Sequence, residues 1–187
     1  MKVLQESIMV PENYKYAINE LPEMKSAIHD WYKNRYNVEL TYDEMICLQG
    51  SQEALSTLFL AMCDPGDIVL VPDPYYPIFS DGPKIAGAKV EYMPLLQENN
   101  YVIQLDQIDE EIAKKAKMMI VSYPNNPTCA IAPDSFYEEL IQFAKKYDIV
   151  VLHDNAYSEL VFDGKVGKSF LSVSYTHLRA HETVLDL

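Results

Sequence analysis

The sequence predicts an α/β fold in three layers, α/β/α, around a mostly parallel sheet. Short apolar or β-branched runs alternate with longer amphipathic segments, the order that produces strand–helix–strand crossovers. With 49% hydrophobic and 23% charged residues in 187, the composition is that of one globular domain with a real core. No internal repeat, low-complexity tract or Gly/Ser linker divides the chain.

Each element has its own signal. Leu21, Met24, Ile28 and Trp31 recur at helical spacing, and Pro22 suits a first turn, so a helix is expected over Pro22–Tyr36. Met45–Gln49 reads as a short buried strand and Gly50-Ser51-Gln52 as a tight turn. Glu53–Met62 reads as a helix closed by Asp64-Pro65-Gly66-Asp67. The unit then repeats: a strand at Ile68–Val71, a helix over Tyr76–Ala86 and a strand at Lys89–Met93. An amphipathic segment at Ile108–Lys115 leads to a strand at Met118–Ser122. Phe136, Leu140 and Phe143 give Ser135–Tyr147 helical spacing before the run Ile149–Leu152.

Composition also narrows the function classes. A net charge of -13 argues against a nucleic-acid partner, which needs clustered Lys and Arg. Cys47, Cys63 and Cys129 sit in no metal-ligand or redox spacing, so three reduced thiols and no bound metal are expected. Met1–Val10 lacks the basic start and apolar run of a signal peptide, and no stretch is long enough to span a bilayer. The reading by elimination is a cytoplasmic protein with no membrane partner.

In open α/β sheets ligands gather beyond the carboxyl ends of the strands, which here are Gly50–Gln52, Asp73–Phe79, Tyr123–Thr128 and Asp154–Tyr157. Gly50-Ser51-Gln52 opens a helix whose free amides suit a phosphate; equally, Ser51 can be an ordinary N-cap. Tyr75 and Tyr76, on a proline-stiffened turn, offer a platform for a flat heterocycle or simply core packing. Asn125 and Asn126 are fixed between prolines, either as polar contacts or as turn formers. Asp154 ends the most hydrophobic run, where a carboxylate needs a cation or donors; a helix N-cap would also satisfy it.

Together, Gly-Ser-Gln-Glu-Ala at 50–54, Pro-Asp-Pro-Tyr-Tyr-Pro at 72–77, Tyr-Pro-Asn-Asn-Pro-Thr at 123–128 and His-Asp-Asn-Ala-Tyr at 153–157 resemble the class I/II aminotransferases of the aspartate aminotransferase fold. The likeness runs from about Tyr14 to about Ser172, and its wording is most similar to the LL-diaminopimelate and related aspartate aminotransferases. The resemblance implies part of the large domain of a fold-type-I transferase that uses pyridoxal 5'-phosphate. Its substrates would be an amino acid and a 2-oxo acid. Ser51 and Gln52 would bind the cofactor phosphate, and Tyr76 would stack on the ring. Asn126 would bond the 3-oxygen and lie near the substrate carboxylate, Tyr157 would donate to the same oxygen, and Asp154 would hold the ring nitrogen protonated. Tyr16, better than Tyr14, resembles a substrate-binding residue that reaches into a neighbouring subunit, which implies a homodimer.

In this family a lysine in a Ser-x-Ser-Lys-type motif carries the cofactor as a Schiff base. The chain has no such motif, so no catalytic residue is assigned and the chain alone is expected to be inactive. Gly164–Ser169 mimics the end of a phosphate loop, but that pattern needs a glycine where Phe162 stands. Residues 1–20 are read as the remnant of an N-terminal segment, 21–172 as a partial cofactor-binding large domain and 173–187 as a non-native tail. Within that tail, Ser174–Thr183 resembles a translated sequencing adapter. His177 and His181 are spaced like a zinc pair but lack a third ligand. Two rival functions share these motifs: a β-lyase of the same fold, and a non-enzymatic effector domain built on it.

Overall fold

A computed structural model describes residues 1–16, 18–162, 164, 167–177 and 184–186. The chain forms two compact units, Met1–Cys47 and Leu48–Leu187.

The first unit holds helices α1 (Lys2–Ile8) and α2 (Pro22–Tyr36). α1 buries no residue, and no periodic signal announced it. α2 has the predicted bounds. Pro22 occupies the first turn, where a missing N–H costs nothing, and Asn37 ends the helix in the left-handed region at φ 56°. Beyond it, Thr41 and Glu44 close a capping box, with Thr41 N donating to Glu44 Oε2 at 2.7 Å.

The second unit holds α3 (Ser51–Met62), β1 (Ile68–Asp73), α4 (Ile78–Ile85) and β2 (Lys89–Pro94). These are followed by α5 (Glu110–Ala113), β3 (Ala116–Ser122), α6 (Asp134–Tyr147), β4 (Val150–Asp154), α7 (Phe170–His177) and β5 (Val184–Asp186). The strands form one sheet in the order β2-β1-β3-β4-β5, and every pairing is parallel. Each crossover helix covers a face. Leu70, Met119, Val121 and Val151 pack with Phe136, Tyr137, Leu140 and Ile141 of α6. The alternate residues Val69, Val71, Met118, Ile120 and Leu152 pack with Leu55 and Phe59 of α3 and with Phe79 of α4. Side chains alternate across a strand, so two buried faces require an unbroken apolar run. Each large side chain buried this way contributes about 1.5–3 kcal/mol of transfer free energy.

Gly82 lets α3 and α4 meet at backbone distance. A Cβ there would lie 2.1 Å from the Leu55 carbonyl oxygen and 2.9 Å from the Phe59 ring.

Several expected boundaries move. The strand expected at Met45–Gln49 does not form. Met45 has an extended backbone, but Ile46 is 76% exposed. The amides that a ladder would use are taken by carboxylates instead: Cys47 N donates to Glu20 Oε1 at 2.9 Å and Gln49 N to Glu53 Oε2 at 2.7 Å. α3 begins at Ser51, two residues before the predicted start, and α4 begins at Ile78 rather than Tyr76. The segment at Ile108–Lys115 contains only the four residues of α5, started by Asp109 accepting from the Glu111 and Ile112 amides.

The turn into β1 is tied to the start of β3. Asp67 Oδ2 accepts from Asp64 N at 2.8 Å and pairs with Lys117 Nζ at 3.0 Å. The Asp64 amide first, then the Lys117 ammonium, hold the Asp67 carboxyl below its ordinary range. A carboxyl with a lowered native pKa stabilises the fold above its unfolded value and loses that contribution as pH falls through the native one. The denaturation midpoint of the wild-type chain should therefore fall more steeply below about pH 4 than that of Asp67→Asn. Parallel acid profiles would show Asp67 to be idle.

Candidate active site

β1 leads through α4 on one face, whereas β3 leads through α6 on the other. The loops leaving adjacent strands β1 and β3 therefore part, which makes the carboxyl edge between them the switch point, where open α/β sheets form a ligand crevice. The motif at 72–77 lies on one side of it and the motif at 123–128 on the other. The register Ser122↔Asp154 brings the end of β4 level with the end of β3.

Gly50 turns the chain into α3 at φ 81°, ψ 157°, a backbone that glycine adopts without strain. Gly50 is the N-cap and Ser51 the first helical residue, which corrects the N-cap reading of Ser51. No side chain caps this helix, so the Ser51 and Gln52 amides and the Ser51 hydroxyl form a donor set suited to an anion, whereas the Glu53 amide donates to Gly50 O at 3.1 Å. Gln52 Nε2 donates to the Tyr76 hydroxyl and ties this end of α3 to the turn after β1.

The two tyrosines of that turn separate. Tyr75 stacks on Tyr92 of β2, with centroids 5.4 Å apart and planes at 17°. Tyr76 instead lies edge-on to Phe79, at 6.2 Å and 82°, with its hydroxyl against Gln52. The asparagines separate in the same way. Asn125, 3% exposed, closes its own loop: its Oδ1 accepts from Thr128 N at 3.2 Å and Thr128 Oγ1 at 2.7 Å. Its backbone bonds Ala130 O and Cys129 N. Its Nδ2 is buried without a partner among the described residues. Asn126 is half-buried, and its Nδ2 donates to the Tyr157 hydroxyl at 3.4 Å, joining the loops after β3 and β4.

Asp154 is 7% exposed, and its Oδ1 accepts from Ala156 N at 3.2 Å. Turns rather than a helix follow it, so it is not a helix N-cap. Its neighbour His153 belongs to the core, packed against Tyr137 and Phe170, with Nδ1 accepting from Phe170 N at 3.4 Å. Tyr123 is also structural. Its hydroxyl accepts from Ile103 N and donates to Tyr101 O, and burial pushes its pKa far above the ordinary phenol value.

Not every singled-out residue joins this row. Tyr16 belongs to the first unit and is 90% exposed, whereas the Tyr14 hydroxyl donates to Ile8 O. Lys168, from the phosphate-loop look-alike, pairs with Asp134 at 2.5 Å. The side chains of His177 and His181 lie outside the described residues. Among the described residues no cluster of His, Cys, Asp and Glu could hold a metal, and no helix is long and apolar enough to cross a membrane.

Asn125 is the residue that sequence reasoning left unassigned, because its turn-forming and polar readings look alike in one dimension. Asn125→Leu should cost about 1–3 kcal/mol, the two bonds to Thr128 being lost inside a buried loop. Chemical denaturation measures this; a change under about 0.5 kcal/mol would mean the loop holds its shape unaided.

Comparisons with known proteins bear on the family and the fold. The family model for aminotransferase class I and II matches residues 3–184. An LL-diaminopimelate aminotransferase from Halothermothrix orenii is 48% identical over 168 residues, covering 89% of this chain and 43% of the relative. Substrate-bound BacF from Bacillus subtilis superposes with TM-score 0.84 at 35% identity, covering 91% of this chain and 44% of the other. An aminotransferase from Staphylococcus aureus gives TM-score 0.85 at 32% identity, covering 92% and 46%. The chain thus spans less than half the length of the relatives it matches. The four motifs join in two pairs, and the family model covers nearly the whole sequence: the chain belongs to the class I and II aminotransferases.

Proposed function

We propose that the polypeptide to which this chain belongs is a pyridoxal-phosphate-dependent aminotransferase that exchanges an amino group between an amino acid and a 2-oxo acid. The observation that carries this reading is the pairwise joining of the four motifs, Gln52 to Tyr76 and Asn126 to Tyr157, together with the buried carboxylate of Asp154 at the end of β4.

The residues present fit the cofactor in its chemistry of donors and acceptors. The uncapped start of α3, with Ser51 and Gln52, suits a phosphate dianion. Tyr76 offers a ring face, and Asn126 and Tyr157 together offer donors to a phenolic oxygen. Asp154 would hold a proton on the ring nitrogen through a charge-assisted hydrogen bond, strong in a setting with little water. Pyridoxal phosphate supplies an electron sink when bound, and this chain's residues orient it and keep its nitrogen protonated. Asn126 would also meet the substrate carboxylate.

The name carried by the relatives makes LL-diaminopimelate the first donor to test. We further propose a cytoplasmic homodimer in which Tyr16 reaches the neighbouring subunit's substrate. In domain terms we read 1–20 as part of an N-terminal segment, 21–172 as part of the cofactor-binding large domain and 173–187 as a non-native tail.

The complete open reading frame, assayed with LL-diaminopimelate and 2-oxoglutarate, should yield glutamate. Asp154→Ala should lower kcat/KM by about 10²–10³-fold or more, the loss of a preorganised electrostatic contact. Release of ammonia without amino transfer, or an undiminished Asp154→Ala enzyme, would overturn the reading.

A further inference from the structure

Two adjacent tyrosines follow β1, and the sequence of the turn does not say which of them turns toward the start of α3. The structure does so through a residue on a different strand. Tyr92 lies on β2 in register with Val71, two residues before the end of β1, so the sheet itself fixes its height. From there its ring stacks on Tyr75 at 5.4 Å and 17°. Its hydroxyl collects three polar neighbours: Ser80 Oγ at 3.1 Å, the Tyr75 hydroxyl at 3.4 Å and Lys84 Nζ at 3.5 Å. Ser80 and Lys84 are on α4, so one phenol joins the edge strand, the turn and the helix that follows the turn.

These contacts are more than lateral support for a surface tyrosine. Tyr92 is 44% exposed, and little of the unit's core depends on it. Its partner Tyr75 is the neighbour of Tyr76 in the same turn, and the stack holds it on the β2 side. With Tyr75 held over β2, Tyr76 is the ring left to meet Gln52 at the start of α3 and to lie against Phe79. The backbone of the turn is closed just after Tyr76, where Phe79 N donates to Tyr76 O at 2.9 Å and Ser80 N to Pro77 O at 3.1 Å.

We propose that Tyr92 is a positioning residue for the cofactor ring: by stacking on Tyr75 it selects Tyr76 as the tyrosine presented to the crevice. It touches neither cofactor nor substrate and acts through the turn alone. The inference rests on the reading that Tyr76 meets a pyridine ring. An aromatic stack of this kind biases a two-state choice roughly threefold to tenfold.

The 187-residue chain titrated with pyridoxal phosphate, followed by induced circular dichroism in the cofactor band, tests it. Tyr92→Leu should raise the Kd about three- to tenfold and shrink the induced signal, and Tyr92→Phe, which keeps the stack, should stay within about twofold of wild type. Hydrogen exchange at the Phe79 and Ser80 amides, measured without cofactor, should quicken in Tyr92→Leu and not in Tyr92→Phe. A wild-type Kd and signal in Tyr92→Leu, alongside their loss in Tyr76→Leu, would overturn the proposal. Were the wild-type chain to give no saturable signal, the cofactor reading would fail; the exchange rates would still decide whether Tyr92 sets the turn, unchanged rates in Tyr92→Leu refuting it.

Discussion

Parallel pairing of β3 with β1 on one side and β4 on the other is the constraint from which the rest follows. Parallel strands end on the same edge, so the residues after them share one rim of the sheet. The register Ser122↔Asp154 sets the height of the buried carboxylate relative to the asparagine loop. A slip of one residue would turn Asp154 to the opposite face, where His153 now packs against Tyr137 and Phe170. The apolar runs that fill both faces of β3 specify that register, so core packing and site geometry are a single requirement.

At each strand end the chain uses neighbouring polar or aromatic residues unequally. Tyr75 is held by Tyr92, and Tyr76 meets Gln52 at the start of α3. Asn125 spends its carbonyl on Thr128, and Asn126 reaches Tyr157. His153 is core, and Asp154 faces the rim. One residue of each pair rigidifies the loop that carries the other, which is how a polar site is preorganised on short connections. The contact of α3 with α4 at Gly82 serves the same end, since α3 brings Gln52 to Tyr76.

Strands β1, β3 and β4 were legible in the sequence because burial on two faces leaves a continuous apolar run, and α6 because Ser135–Tyr147 keeps helical period through Phe136, Leu140 and Phe143; β5, in the segment read as a tail, was not. The strand expected at Met45–Gln49 was not: its apolar residues look buried in one dimension, but Glu20 and Glu53 take the amides a ladder needs. The start of α3 was misjudged by two residues, since nothing local says that Gly50 rather than Ser51 is the cap. The candidate site residues Ser51, Gln52, Tyr76, Asn126, Asp154 and Tyr157 came from resemblance alone, and all lie in the second unit. Tyr92 carried no local signal, because its role depends on a partner seventeen residues away on another element.

The central claim is that Asp154 exists to keep a bound pyridine nitrogen protonated. Pyridoxal phosphate labelled with nitrogen-15 in the ring, bound to this chain and observed by NMR above the pH at which the free cofactor loses that proton, tests it directly. The account predicts a pyridinium resonance with the wild-type chain and a neutral-pyridine resonance with Asp154→Ala. The same resonance in both, or no bound species with the wild type, would contradict it.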